Sequence, residues 1–245
     1  MQNLLAKYGK ITPLRADEEQ TFRDLVSTKR NLANGAQLIS AEFDEPDQLY
    51  IVEDGRLFAS NELPGGERAI TRLYFSGDII GTANIPFDTA THTVTACAPS
   101  TVYVFPRAKL VDAFVRMPRV AAIFYTFAAM ENAILNDRLV SIGRTRGKAR
   151  LAALICEIEA RRNLLADKAL DTFRIGLTQA QIGDAIGLTE VQVNRLLKEL
   201  DEEGAISRIG GTITVREHST LCEIGQFKDR YEDLDLDWFE DELPG

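Results

Sequence analysis

The chain has 245 residues, 45% of them hydrophobic and 27% charged, with a formal charge of −9 at neutral pH. This suits one or two domains with a sizeable core, and no apolar run approaches the length of a membrane span. Cys97, Cys156 and Cys222 lie far apart without a CxxC pair, which argues against a disulfide framework, a metal site or an iron–sulfur cluster and leaves buried thiols as the reading.

The N-terminal run MQNLLAKYGK lacks the apolar core of a signal peptide, so a cytoplasmic protein is expected. Residues 17–26 read as a short helix, with Leu14 ahead of its cap and Phe22, Leu25 and Val26 on its apolar face. From about residue 29 to residue 105, short β-prone segments alternate with turn signals: YIVEDGRLFAS around Asp54-Gly55, LPGGERAITRLYFSGDIIG, HTVTACA and TVYVF. Short strands with regular glycine punctuation predict a barrel or jelly roll. His92 and Cys97 fall five residues apart on one of these strands and so point to opposite faces, which removes them as a thiol–imidazole pair. With no phosphate-cradling glycine loop and no metal-ligand spacing either, the chain reads as a non-enzyme that needs no cofactor. A further short helix is expected over 107–115, ended by Met117-Pro118.

Residues 118–143 then predict a helix of six or seven turns. Its first two thirds are apolar nearly all round, with Val120, Ile123, Phe124, Tyr125, Phe127, Met130, Ile134 and Leu135. A helix without a polar face must be covered on two sides. The protein's own barrel supplies one cover; a second copy of the chain is the economical source of the other, which places Ile123, Phe127, Met130 and Ile134 in a dimer interface. A core helix of a monomer is the alternative. Residues 138–150 follow, with Arg138, Arg144, Arg146, Lys148 and Arg150 and no acid. That run is either a phosphate-contacting patch or a solvated helix face.

The segment 178–203, TQAQIGDAIGLTEVQVNRLLKELDEE, carries the most function. Thr178 with Gln181, and Thr189 with Gln192, are two capping boxes, each opening a short amphipathic helix. Gly187 stands at the turn, where a side chain is expected to find no room, and Gly183 is small where the helices would cross. Ile182, Ile186, Leu188, Val193, Leu196 and Leu197 form the expected buried seam, leaving Glu190, Val191, Gln192, Asn194, Arg195 and Lys198 outward for base edges and phosphates. After Gly204, the run AISRIGGTITVRE predicts a hairpin wing about Gly210-Gly211. The order is that of a winged helix-turn-helix, against the alternative of an ordinary helical hairpin in some other core.

The charge is local. Residues 217–245 hold ten acidic and two basic residues, while residues 1–216 hold 27 acidic and 26 basic. This acidic tail also carries Tyr231, Leu234, Leu236, Trp238 and Phe239. It reads either as a solvated end or as a segment that docks near 144–150 or beside Arg195 and competes with DNA.

Taken together, GDIIG at 77–81, ACAPSTVYVFPR at 96–107, GKARLAALI at 147–155 and LTQAQIGDAIGLTEVQVNRLLKELDEEGAI at 177–206 make the chain resemble the Crp/Fnr family of bacterial transcription regulators, over nearly its whole length. The resemblance implies an α+β protein: a cyclic-nucleotide-binding-like sensory β-barrel at 1–118, a dimerisation helix at 119–143, a winged helix-turn-helix at 144–216 and the acidic tail at 217–245. It implies a homodimer on a palindromic double-stranded DNA operator, RNA polymerase as a further partner, and an effector that shifts the population of DNA-competent arrangements. Arg195 matches the family's guanine-contacting arginine; Thr178 and Thr189 match phosphate-contacting helix starts; Gln179, Glu190, Gln192, Asn194 and Lys198 complete the expected DNA face. Many members carry an acidic residue one turn before that arginine, where this chain has Val191.

The effector pocket implied at Gly77, Asp78, Ala90, Thr91, Leu135 and Asn136 is degenerate. Nucleotide-binding members have a Gly-Glu pair and an Arg-Ser or Arg-Thr step; here Asp78 replaces the glutamate and Ala90-Thr91 replaces the step, with no arginine or lysine between Leu73 and Phe105. A buried phosphate without a cation is costly, so a cyclic nucleotide is not the expected effector, and its identity stays open. The family's iron–sulfur branch needs a cysteine cluster that this N-terminus lacks, and for its haem-sensing branch only His92 could be an axial ligand in the barrel. The alternative function is a protein–protein signalling module that uses the winged domain and the tail for partner binding.

Overall fold

The computed structural model describes residues 1–245 apart from 167, 233, 235, 236 and 241–245. They form two compact units: Met1–Asn61, Leu73–Ala133 and Arg230–Gly245 in the first, and Glu62–Arg72 with Ile134–Asp229 in the second.

The chain opens with α1 (Gln2–Gly9) and α2 (Ala16–Leu25), followed by β1 (Thr28–Leu32), β2 (Gln37–Ile39), β3 (Gln48–Asp54), β4 (Leu57–Glu62), β5 (Arg68–Tyr74), β6 (Ile79–Ile80), β7 (Thr93–Ala96) and β8 (Ser100–Pro106), all in the first unit except the stretch 62–72 that carries most of β5. They make two four-stranded sheets, β1-β8-β3-β6 and β2-β7-β4-β5. The β1–β8, β3–β8, β2–β7 and β4–β7 pairs are all antiparallel. Leu38, Tyr50, Val52, Leu57, Tyr74, Ile80, Val94 and Val102 fill one core between them. This is the barrel that the strand punctuation predicts.

Then come α3 (Arg107–Arg116) and α4 (Pro118–Arg144), the latter 27 residues long. The first half of α4 is core. Phe127 stacks on Tyr8 at 4.1 Å, Phe124 meets Phe22 and Phe114, and the Arg119 guanidinium donates to Glu18 at 2.5 Å and to Thr12 at 2.8 Å. Ile123, Phe127 and Met130 are therefore buried within a single chain, and Ile134 is half-buried. Burial within one chain corrects the expected place of Ile123, Phe127 and Met130 in a dimer interface, while Ile134 stays half-exposed. The apolar circumference of α4 is covered on its second side by α1 and α2, of which α1 was not foreseen. The exposed residues of α4 include a different stripe at three- and four-residue spacing, Tyr125, Ala128, Ala129, Asn132, Leu135, Asn136, Leu139, Ile142 and Gly143, with Val140 exposed beside it.

The second unit is built on α5 (Gly147–Asn163), with β9 (Thr172–Arg174), α6 (Gln179–Ile186), α7 (Glu190–Glu202), β10 (Ile206–Ile209), β11 (Thr212–Val215) and α8 (His218–Gly225). β10 and β11 pair about Gly210-Gly211 as the expected wing, and β9 adds a third strand to it. The unit does not stop at residue 216: α8 lies against α5, so closely that a Cβ on Gly225 would stand 2.7 Å from the Ala153 amide nitrogen. The remaining short helix, α9 (Asp237–Glu240), lies in the segment assigned to the first unit. Among the described residues no helix is long and apolar enough to cross a membrane.

Candidate nucleic-acid interface

The two capping boxes fix where the reading helices begin. Thr178 Oγ1 accepts from the Gln181 amide at 3.1 Å while Gln181 Oε1 accepts from the Thr178 amide at 2.9 Å; Thr189 and Gln192 repeat the arrangement at 3.3 and 2.9 Å. Between the helices Gly187 adopts φ 67°, ψ 45°. A Cβ there would meet nothing nearer than Arg150 Nη1 at 3.7 Å. The left-handed backbone, not the lack of space that the sequence suggested, selects glycine at the turn. At Gly183 space does decide: a Cβ would lie 2.3 Å from the Leu188 carbonyl oxygen.

Ile182, Ile186, Val193, Leu196, Leu197 and Leu200 are buried and lock α6 to α7. The outward side of the pair presents one concave patch lined by Gln179, Glu190, Val191, Asn194, Arg195 and Lys198. Both cations of this lining are held along the helix: Arg195 Nη1 lies 3.1 Å from Glu199 Oε1, and Lys198 Nζ lies 3.3 Å from Glu202 Oε1. These are exposed i, i+4 pairs worth only a few tenths of a kcal/mol each, so a phosphate or a guanine edge can displace the carboxylates. Gln192 is exposed, but its side-chain oxygen serves the helix cap. Thr178 and Thr189 stand exposed at helix starts, where the first N–H groups favour an anion.

The basic run before α6 divides. Arg138 grips Glu157 through Nε and Nη2 at 3.0 and 2.8 Å and donates to the Thr71 carbonyl, Lys148 pairs with Glu203 at 2.7 Å, and Arg150 bonds the carbonyls of Thr145 and Ile186. These three brace the second unit, while Arg144 and Arg146 are exposed at its surface.

The barrel residues expected at the degenerate effector pocket each have their own local partners. Gly77 turns against α1, where a Cβ would stand 2.8 Å from the Asn3 carbonyl oxygen. Asp78 is buried, accepts from the Phe75 amide at 2.8 Å and takes Lys7 Nζ at 2.5 Å. Ala90 is buried with its backbone bonded to Glu42 and Asp44, and Thr91 donates twice to Asn84. Leu135 and Asn136 belong to the second unit, exposed on α4.

Sequence reading missed Lys7, although Leu4, Leu5 and Tyr8 at helical spacing signal the helix that carries it. It also missed that Cys156 and Cys222 meet, with Sγ atoms 3.2 Å apart and His218 beside them. Cys97 and Cys156 are buried, and desolvation pushes the Cys97 thiol up to about 11. Among the described residues no group of three or more His, Cys, Asp or Glu side chains could hold a metal ion.

Comparison with known proteins agrees with this division of labour. Residues 29–116 match the cyclic nucleotide-binding domain family and residues 149–224 match the Crp-like helix-turn-helix domain. The fumarate and nitrate reduction regulatory protein of Vibrio cholerae is 25% identical over 213 residues, covering 86% of this chain and 84% of that one. Electron transport regulator A of Shewanella oneidensis is 25% identical over 210 residues, 85% of this chain and 82% of its own. In fold, FixK2 from Bradyrhizobium japonicum superposes with a TM-score of 0.74 at 22% identity, over 82% of this chain and 98% of that one.

Proposed function

The chain belongs to the Crp/Fnr family of DNA-binding transcription regulators, with a sensory domain of the cyclic-nucleotide-binding type ahead of its DNA reader, and from that premise we propose that it reads a palindromic operator as a homodimer. The concave patch on α6 and α7 carries the reading: Arg195, Asn194 and Lys198 face outward from a helix whose start is fixed by a capping box and whose other side is locked into the core. Arg195 takes the role of bidentate donor to a guanine edge, and Gln179, Thr178 and Thr189 anchor the backbone.

The dimer forms through α4, on the exposed stripe Tyr125, Ala129, Asn132, Leu135, Leu139 and Ile142 rather than on the side that packs into its own core. Two seams spaced by three and four residues on facing helices supercoil naturally, and small residues at 128 and 129 allow close approach. The sensory domain answers a signal other than a cyclic nucleotide, because its one buried lysine near Gly77-Asp78 is already neutralised by Asp78. Contact with RNA polymerase completes the scheme.

Selection of bound genomic fragments, followed by salt titration of binding to the selected duplex, tests the function. Expected are nanomolar affinity and a steep fall in affinity with rising salt, as counterions are released from phosphates. Binding that is weak on every selected fragment would refute it in favour of a protein–protein module.

A further inference from the structure

α5 and α8 run antiparallel in a fixed register. Gly225 rests on Ala153, Cys222 opposes Cys156, and His218 opposes Glu159. The close approach at Gly225 is what brings the next turn of α8 down onto α5. Cys222 Sγ there lies 3.2 Å from Cys156 Sγ and 3.3 Å from His218 Nε2, and His218 Nδ1 lies 2.9 Å from Glu159 Oε2. The Glu159 side chain is 6% exposed and that of His218 is 60% exposed. Cys156 is fully buried, and Cys222 sits between the two environments.

The roles follow from the geometry. A carboxylate on Nδ1 holds the imidazole with its proton on that nitrogen, which leaves the Nε2 lone pair facing Cys222. Cys222 thus has a base at hydrogen-bond distance and a route to solvent, the two conditions for a reactive thiol. Cys156 has neither; desolvation and its hydrogen bond with Cys222 push its thiol up. What it has is contact with the neighbouring sulfur.

We propose that Cys222 and Cys156 form an oxidant-responsive thiol pair in the DNA-reading unit, with Cys222 attacking a hydroperoxide, Cys156 resolving the product to a disulfide, and His218 handling the proton. In the first step His218 Nε2 takes the Cys222 proton and the thiolate sulfur attacks one peroxide oxygen. The O–O bond breaks, its far oxygen leaves as water with the proton returned by His218, and Cys222 becomes a sulfenic acid, its sulfur oxidised by the two electrons the peroxide gains. In the second step the Cys156 sulfur attacks the Cys222 sulfur. The S–O bond breaks, the hydroxyl departs as a second water with the Cys156 proton, and a disulfide closes. Two thiols and one hydrogen peroxide give one disulfide and two waters. The bridge spans 66 residues of sequence and so encloses α6, α7 and the wing in one covalent loop.

The experiment treats the full-length protein with hydrogen peroxide, blocks remaining thiols, and maps peptides by mass without reduction. Expected is a Cys156–Cys222 linked peptide, two hydrogens lighter than its parts and released by dithiothreitol, with Cys97 still reduced. In Cys156→Ser, a dimedone adduct accumulates at Cys222 in place of the link. In His218→Ala, with folding checked by circular dichroism, the peroxide rate at Cys222 falls on the order of tenfold or more. Absence of the link in wild type, oxidation of Cys97 ahead of Cys222, or an unchanged rate in His218→Ala each overturns the assignment.

Discussion

Lys7 Nζ lies 2.5 Å from Asp78 Oδ1, with the two side chains 3% and 1% exposed. The pair ties α1 to the turn before β6. Removing one partner strands the other charge in a low-dielectric core. Lys7→Met is therefore expected to destabilise the protein by about 3 to 5 kcal/mol, and adding Asp78→Asn to recover a large part of that loss. Chemical denaturation of the two variants checks it; equal stability of the single and double variants would show that the ion pair does not govern this site.

The glycines of the helix-turn-helix separate two reasons for the lack of a side chain. Gly183→Ala forces a methyl group to within 2.3 Å of the Leu188 carbonyl oxygen, so α6 and α7 must part. Gly187→Ala meets only an ordinary contact with Arg150 and incurs the left-handed backbone strain, roughly 1 to 2 kcal/mol. The first is expected to lose operator binding and to melt well below the second. Thermal melts alongside binding assays distinguish them, and a reversed order would contradict the geometry.

That contrast also marks how much the chain declares in its sequence. The capping boxes, the turn and the wing are local features set within a few residues by side-chain–backbone bonds and φ preference, and they were readable one by one. The burial side of α4 was not. Its apolar periphery predicted two covers and assigned the second to another copy of the chain, whereas α1 and α2 supply it, and α1 holds only Leu4, Leu5 and Tyr8 as signal. Nor could spacing show that Cys156 and Cys222 meet, since the contact is made by helix packing across 66 residues. His218 went unread for the same reason.

Arg195 is expected to carry sequence preference. Arg195→Ala should cost about 1 to 3 kcal/mol per half-site and flatten discrimination between operators. Glu199→Ala removes the carboxylate that holds Arg195 in the absence of DNA, and should tighten binding by a few tenths of a kcal/mol. Competition binding with single-base operator variants measures both, and unchanged discrimination in Arg195→Ala would remove this residue from base reading.

The corrected surface of α4 makes a paired prediction. Leu139 is 70% exposed, so Leu139→Asp should leave the fold intact, yield monomers and weaken operator binding far more than a change elsewhere on the surface. Phe127 is 7% exposed and stacked on Tyr8, so Phe127→Asp should instead unfold the first unit by burying an unpaired charge. Sedimentation and circular dichroism on the two variants give opposite signatures. A dimeric Leu139→Asp would move the interface off this stripe.

The last prediction concerns the acidic end of the chain. It was expected either to be solvated or to dock on the basic run or beside Arg195, yet its described residues contact the first unit. Tyr231 receives Lys7 Nζ over its ring at 5.1 Å, and Trp238 packs edge-on to Tyr125 at 5.9 Å with its indole N–H 3.3 Å from Thr126 Oγ1. Leu236, another of the expected anchors, lies outside the described residues. Trp238 is the one tryptophan in the sequence, so intrinsic fluorescence reports this contact directly. Tyr125→Ala should raise acrylamide quenching of Trp238 and shift its emission to the red, because the ring then loses its apolar neighbour and gains water. Deleting residues 229–245 should lower the melting temperature of the first unit while leaving the salt dependence of DNA binding as it was, since the described tail residues pack on α1 and α4 within their own unit. A deletion that tightens binding to random-sequence duplex at low salt would instead establish the tail as an electrostatic competitor for DNA.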